Sequence, residues 1–116
     1  MKFPNTLAFI SLLTLAAAND YVFDMFYPSH PDTGCGGTPE QISDNGPRGC
    51  STGFHKGAAS SWKLSSLKDG CVVNFYADRD CKESSKLDWI DGKSPKGQCK
   101  TMPNYTAARA FDVKCS

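Results

Sequence analysis

The sequence predicts an all-β fold: a small disulfide-stapled β-sandwich or barrel-like domain with at most one short helix. Three observations support this prediction. Short segments that alternate apolar and polar residues are separated by turn residues, as in small sandwiches. Six cysteines occur in only 116 residues. An N-terminal leader directs the chain to the secretory route, where disulfides form. A chain this short buries a modest core, and disulfides supplement such cores in secreted domains.

Residues 1–18 are predicted to be a cleaved signal peptide. Lys2 supplies a positive charge, and an uncharged apolar run of 12 residues follows at 7–18. Ala16 and Ala18 fit the small-x-small pattern for cleavage after Ala18. The run is shorter than the roughly 20 residues that span a bilayer, so stable membrane insertion is not expected. Residues 19–116 are the predicted mature chain, a single secreted, extracellular cysteine-rich β domain.

All six cysteines lie in the predicted mature chain, which predicts three disulfides and no free thiol. They are Cys35, Cys50, Cys71, Cys81, Cys99 and Cys115. Six cysteines allow 15 pairings, and our working prediction pairs them in chain order, with a clasp beside the best hairpin. Their gaps of 9 to 20 residues lack the close ligand pairs of structural zinc sites. No metal or cofactor is expected.

The first half of the mature chain predicts one strand and one helix start. Apolar side chains occupy both faces of 21–27, which is typical of a strand near the core. Prolines in 28–31 end this strand because they lack the N–H donor. Residues 38–41 (Thr-Pro-Glu-Gln) have the form of a helix start, with threonine capping and proline in the first turn. Residues 45–47 (Asn-Gly-Pro) then end this helix, and 51–59 is predicted to be a loop.

The second half predicts four more strands. Residues 61–66 alternate and place Trp62 and Leu64 on one face. The clearest strand is 71–77 (CVVNFYA), and shorter strands are predicted at 86–90 and 109–115. Turn residues separate these segments. We identify no internal repeat in the sequence.

Three segments carry a resemblance to a known class of proteins. These are 70–81 (GCVVNFYADRDC), 97–99 (GQC) and 109–115 (RAFDVKC). Over residues 62–115 the chain resembles the small secreted cysteine-rich proteins of filamentous fungi, which are effector-like or antimicrobial-like. The resemblance implies an effector, elicitor or toxin-like protein that acts by binding the surface of a host or competitor target. It implies a monomer with a protein or glycan partner, and it leaves open whether that partner lies outside or inside the host cell.

The Phe-Tyr-x-Asp stretch at 75–78 also resembles the βγ-crystallin type of β-sandwich, which includes secreted killer toxins. Members of that family bind calcium through an acidic pair followed by Ser/Thr-Ser. Here 80–85 (Asp-Cys-Lys-Glu-Ser-Ser) keeps the serines, but Cys81 replaces the second acid. Because Ca²⁺ prefers several carboxylates, we expect a solvated turn instead of a calcium site.

The sequence offers few groups for acid–base catalysis. The candidates are Asp78, Asp80, Asp88, Asp91, His30 and His55. Paired carboxylates catalyse only with separated pKa values and a substrate cleft, and acids in turns often serve the turn alone. We therefore expect a non-enzyme. The alternative is a small secreted hydrolase, ribonuclease-like and dependent on His30 or His55, or a hydrolase inhibitor.

Charge is balanced overall but unevenly distributed. The predicted mature chain has 12 basic and 12 acidic residues, with a net charge of −5 over 19–47 and +5 over 48–116. We expect the two parts to neutralise each other; the alternative is a basic face for anionic polymers or acidic lipids. The lysines are scattered, so no nucleic-acid partner is expected.

Two further features concern the surface. Asn104-Tyr105-Thr106 is an acceptor triplet for N-glycosylation. Four large aromatic residues could form a contact surface for a sugar or protein, although core packing is the expectation for each. They are Tyr21, Tyr27, Trp62 and Trp89.

Overall fold

The computed structural model describes residues 19–27 and 34–116, which form two antiparallel four-stranded sheets. The predicted leader at 1–18 and His30 lie outside the described residues. Within the described part, no helix has the length and apolar character needed to cross a membrane. The strands are β1 (Tyr21–Phe26), β2 (Glu40–Asp44), β3 (Arg48–Ser51), β4 (Ser61–Leu67), β5 (Cys71–Tyr76), β6 (Lys86–Ile90), β7 (Cys99–Thr101) and β8 (Ala110–Cys115).

The predicted all-β sandwich is confirmed. One sheet has the order β2-β1-β4-β7 and the other β3-β8-β5-β6. Aromatic side chains fill the space between them. The ring of Phe23 meets the rings of Phe75 and Phe111 edge to face, both at 5.8 Å between centroids, and Trp62 stacks on Phe75. Helical structure in the described residues is limited to two 3₁₀ turns, Glu83–Ser85 and Pro103–Tyr105.

The two halves of the chain repeat one arrangement of four strands. In the first half β1, β2 and β4 share a sheet and β3 lies in the other; in the second half β5, β6 and β8 share a sheet and β7 lies in the other. The strand registers agree as well. Phe23 pairs with Ile42 across β1 and β2, and Val73 pairs with Ile90 across β5 and β6. Our reading that the chain has no internal repeat is therefore wrong at the level of structure.

The helix predicted at 38–41 is also wrong. Thr38 and Pro39 belong to no helix or strand, and β2 begins at Glu40. Ile42 is buried in the core opposite Phe23, and β1 supplies hydrogen-bond partners for the β2 backbone. Pairing with a neighbouring strand thus outweighs a capping pattern, which is only a local preference.

Three disulfides with no free cysteine confirm the predicted number, but the predicted pairing in chain order is wrong. The observed bridges are Cys35–Cys99, Cys50–Cys81 and Cys71–Cys115. Cys71 and Cys115 lie directly opposite each other on β5 and β8, with Cα atoms 4.0 Å apart. Cys81 follows the far end of β5 and cannot reach Cys71, because the extended strand separates them.

Each disulfide joins segments of the same sheet. Cys35 precedes β2 and bonds to β7, and Cys71–Cys115 links the neighbouring strands β5 and β8. Cys50 on β3 bonds to Cys81 in the segment between β5 and β6, with Cα atoms 5.8 Å apart, so this bridge ties β3 to the loop that follows β5 in the same sheet. The two sheets are therefore held to each other by the non-covalent core and not by disulfides.

Candidate functional site

An open groove of about 440 Å³ is lined by the edge strands of both sheets, β6 and β7. We call it the Trp89 groove and define it by six of its lining residues. They are Trp62, Asp88, Trp89, Asp91, Lys100 and Pro103. Its lining combines tryptophan and proline with charged side chains, and binding sites commonly combine an apolar surface with a few polar groups that orient the ligand.

Trp89 is the prominent side chain of this groove. Its side chain is 51% exposed, and it is the one large hydrophobic side chain that is exposed among the residues whose burial the structure describes. The next residue, Ile90, is fully buried, so the alternation of the strand directs Trp89 away from the core. Because β6 is an edge strand, no neighbouring strand lies beyond Trp89.

Two neighbours fix the indole of Trp89. Its Nε1 donates a hydrogen bond to Asp91 Oδ2 at 3.2 Å. The Nζ of Lys86 lies 5.2 Å from the ring centroid, within the range of a cation–π contact. An aromatic side chain that is held in place before binding loses less conformational entropy when a ligand stacks on it.

Asp88 connects the groove to the core. Its Oδ2 accepts a hydrogen bond from Trp62 Nε1 at 3.2 Å, and its Oδ1 accepts one from the backbone N–H of Trp89 at 2.9 Å. Trp62 is only 2% exposed and stacks on Phe75. The prediction that Trp62 packs in the core is confirmed, and the same holds for the fully buried Tyr21.

Asp91 stays ionised at neutral pH. The backbone N–H of Lys93 donates to its Oδ1 at 2.9 Å and lowers the pKa of Asp91 below its ordinary value, and hydrogen bonds from Trp89 and Ser94 lower it further. Asp91 and Asp88 thus present carboxylate oxygens at the groove while they position the two tryptophans. Lys93 and Lys100 add ammonium groups to the same lining.

A second groove, of about 410 Å³, surrounds a shielded carboxylate. The side chain of Glu40 is 15% exposed and that of His55 is 82% exposed. Glu40 Oε1 accepts hydrogen bonds from the Tyr27 hydroxyl and, at 3.1 Å, from the backbone N–H of His55. Glu40 Oε2 lies 3.4 Å from His55 Nε2. Lys56 Nζ lies 5.7 Å from the centroid of the Tyr27 ring.

The Tyr27 hydroxyl remains protonated in this second groove. Burial raises the pKa of Tyr27 to about 12, and the hydrogen bond to Glu40 adds to the rise. Tyr27 is half-buried and packs against the core cluster, so it belongs partly to the core and partly to this surface.

The internal repeat relates the two grooves. Asp88 pairs with Phe75, and Glu40 pairs with Met25 at the matching place of the first half. The residue after each acid is Trp89 in one half and Gln41 in the other. Matching positions of the two halves therefore present the exposed indole of Trp89 in one groove and the exposed amide of Gln41 in the other. A substitution of Gln41 can serve as the control for a substitution of Trp89.

The remaining candidates serve turns. Asp78 Oδ1 accepts a hydrogen bond from Ser85 Oγ at 2.9 Å and closes the turn that contains Asp80 and Cys81. Among the described residues, no group of three or more His, Cys, Asp or Glu side chains is arranged to hold a metal ion. Asn104 is exposed in the 3₁₀ turn between β7 and β8, directly after Pro103 of the Trp89 groove.

Comparison with known proteins found no matching family model, no matching curated protein and no matching solved structure.

Proposed function

We propose that the protein is a secreted, effector-like or toxin-like binding protein that recognises a glycan on a host or competitor cell through the Trp89 groove. The exposed indole of Trp89, fixed by Asp91 and Lys86 beside an open groove, carries this proposal. Tryptophan is enriched at binding interfaces, because its large ring offers apolar contact area and its N–H offers a hydrogen bond.

The lining of the groove matches the chemistry of a sugar. The C–H face of a β-linked pyranose is flat and apolar and stacks on an indole, while the ring hydroxyls need hydrogen-bond partners. Asp88 and Asp91 supply acceptors, and Lys100 supplies donors. A protein partner would need an interface of about 800 Å² on each side, whereas Trp89 is the one exposed aromatic side chain among the described lining residues of this groove.

The setting of the site supports an extracellular role. Three disulfides in a small domain are typical of extracellular proteins, and the predicted signal peptide agrees with that location. The resemblance to secreted fungal cysteine-rich proteins and to killer toxins supports an action on another organism, which a cell-surface glycan would permit.

Calorimetric titration with hexamers of β-1,4-linked glucose and of β-1,4-linked N-acetylglucosamine tests the proposal on the disulfide-intact protein. We expect Trp89→Ala to weaken binding at least about tenfold, equivalent to about 1.4 kcal/mol. Gln41→Ala, at the matching place in the other groove, should leave the affinity unchanged. Absence of binding to both hexamers and to a broader glycan array, or equal affinities of the native protein and Trp89→Ala, would overturn the proposal.

A hydrolase is the second candidate, and one observation favours it. Glu40 Oε2 lies 3.4 Å from His55 Nε2, which places a carboxylate beside an imidazole at the rim of the second groove. A carboxylate–histidine pair of this kind can activate a hydroxyl group. Incubation with RNA, glycans and proteases tests this candidate: turnover that His55→Ala abolishes supports it, inhibition of a protease without turnover indicates an inhibitor, and inertness in all assays excludes both.

A further inference from the structure

We propose that Asn104 carries an N-linked glycan that restricts access to the Trp89 groove by competing with an external glycan. This inference rests on the proposed function, because it concerns the ligand of the same groove. The glycan on Asn104 would lower the affinity of the Trp89 groove for an external glycan.

Asn104 directly follows a residue that lines the groove. Pro103 lines the groove together with Lys100 and Thr101, and Asn104 is the next residue of the chain. Asn104 is exposed and has φ 56°, in the left-handed region. Among residues other than glycine, asparagine is one of those that enter this region most readily. The residue type at position 104 therefore suits the left-handed conformation of this turn.

The rest of the acceptor triplet closes the same turn. The backbone N–H of Thr106 donates to the carbonyl oxygen of Pro103 at 3.1 Å, and the Thr106 hydroxyl donates to that oxygen too. Asn104 thus lies in a turn between Pro103, which lines the groove, and Thr106, which donates hydrogen bonds to the Pro103 carbonyl oxygen. A bulky glycan attached at this point begins beside the groove.

Tethering makes such a glycan an effective competitor. An N-linked glycan begins with β-linked N-acetylglucosamine units, which present the same stacking face as the proposed ligand. A short flexible tether gives an effective concentration in the millimolar range, here taken as about 10 mM. If the groove binds a short sugar with a dissociation constant of about 1 mM, the apparent dissociation constant of an external glycan rises about tenfold.

Variants of Thr106 test this inference in protein secreted from a eukaryotic host. Thr106→Ala removes the acceptor triplet, whereas Thr106→Ser keeps both the triplet and the hydroxyl. We expect the native protein and Thr106→Ser to bind the β-1,4-linked N-acetylglucosamine hexamer about tenfold more weakly than Thr106→Ala. Enzymatic removal of the glycan from the native protein, which converts Asn104 to aspartate, should also restore the affinity, and Asn104→Asp is the control for the new charge.

Two results would overturn the inference: mass spectrometry that finds Asn104 unmodified in the secreted native protein, or equal affinities before and after removal of the glycan. The Trp89→Ala substitution in the unglycosylated Thr106→Ala protein separates this outcome from failure of the proposed function. If that substitution abolishes binding while the native glycan has no effect, only the present inference fails. If neither the native protein nor Thr106→Ala binds the hexamer, the proposed function fails.

Discussion

Ala59 and Ala108 exchange two backbone hydrogen bonds. Ala59 N donates to Ala108 O at 2.9 Å, and Ala108 N donates to Ala59 O at 2.8 Å. Each alanine lies two residues before the fourth strand of its half, β4 or β8. The reciprocal pair thus lies where the two repeated halves meet, and it joins the segments that enter the two sheets.

Both alanines are fully buried, so this junction has no room for a larger side chain. We predict that Ala59→Leu destabilises the protein by about 1–3 kcal/mol, because overpacking forces the backbone of the pair apart. Ala58→Leu is the control, since Ala58 is the adjacent residue and is only partly buried. Urea unfolding of the two variants measures the difference. A loss of similar size in both would show that the junction is not tightly packed.

Phe23 is the aromatic residue that contacts the opposite sheet twice, through Phe75 and Phe111. Because no disulfide joins the sheets, we predict that Phe23→Ala costs about 3–5 kcal/mol of unfolding free energy. Val22→Ala, at the neighbouring and only partly buried position, should cost much less. The free energy of unfolding from urea titration checks this prediction, and equal losses in both variants would contradict it.

Local pattern was enough to predict some strands and not others. The segments that became β4, β5, β6 and β8 alternate apolar and polar residues, and each was predicted within one residue of its start. β3 and β7 are short and exposed edge strands with no apolar face. Their pairing depends on strands distant in the chain, and no local signal encodes that.

The same reason limits what the sequence says about the site and the bridges. The pairing of Cys71 with Cys115 follows from the register of β5 and β8, which neighbouring residues do not specify. Trp62 and Trp89 both look like core residues in the sequence. The structure separates them because Trp62 faces the core, whereas Trp89 lies on the face of β6 opposite to that of the buried Ile90.

We expect the Cys50–Cys81 bridge to stabilise the sheet that contains β3, β8 and β5. It closes a loop with a sequence separation of 31 residues, and removal of such a bridge through Cys50→Ala with Cys81→Ala should cost about 2–4 kcal/mol. Cys81 has φ 53°, a strained conformation for a residue with a Cβ atom. The pair Cys50→Ala with Cys81→Gly should therefore lose about 1 kcal/mol less.

Thermal and urea unfolding of the two double variants measure these losses. We expect the native protein to be the most stable and the alanine variant the least stable. The glycine variant lies between them because glycine adopts the φ of 53° at position 81 without strain. If the alanine variant is the more stable of the two, the left-handed conformation of residue 81 is not kept without the bridge. Non-reducing peptide mapping of the native protein should recover Cys50 linked to Cys81 as a matched control.

Asp112 organises a buried polar cluster in the sheet that contains β5 and β8. Its Oδ2 accepts a hydrogen bond from the Tyr76 hydroxyl at 3.0 Å, and its Oδ1 accepts one from Asn74 Nδ2 at 3.0 Å. Burial raises the pKa of Tyr76 to about 12, and the hydrogen bond and negative charge of Asp112 contribute to the rise. The folded protein therefore holds the Tyr76 proton more tightly than the unfolded chain, where the pKa is about 10.

The sign of the pH dependence follows from this difference. Below pH 10 Tyr76 is protonated in both states, and its stabilising bond to Asp112 is fully present. Between pH 10 and about 12 the unfolded chain releases the proton first, so the free energy of unfolding falls as pH rises. We predict that Tyr76→Phe costs about 1.5–3 kcal/mol at pH 8 and that this deficit shrinks as pH approaches 12.

Urea unfolding at pH 8, 10 and 11.5 measures the gap between the native protein and Tyr76→Phe. Tyr27 needs its own control, because its pKa is also raised to about 12. In a Tyr27→Phe background, the gap in unfolding free energy between Tyr76 and Tyr76→Phe should still shrink as pH rises. No free cysteine is present to start disulfide exchange, but hydroxide cleaves disulfides at pH 11.5, so non-reducing peptide mapping after the incubation must show that all three bridges are intact. A gap that stays constant from pH 8 to 11.5 would mean that the Tyr76 hydroxyl titrates alike in both states, and that Asp112 does not hold its proton.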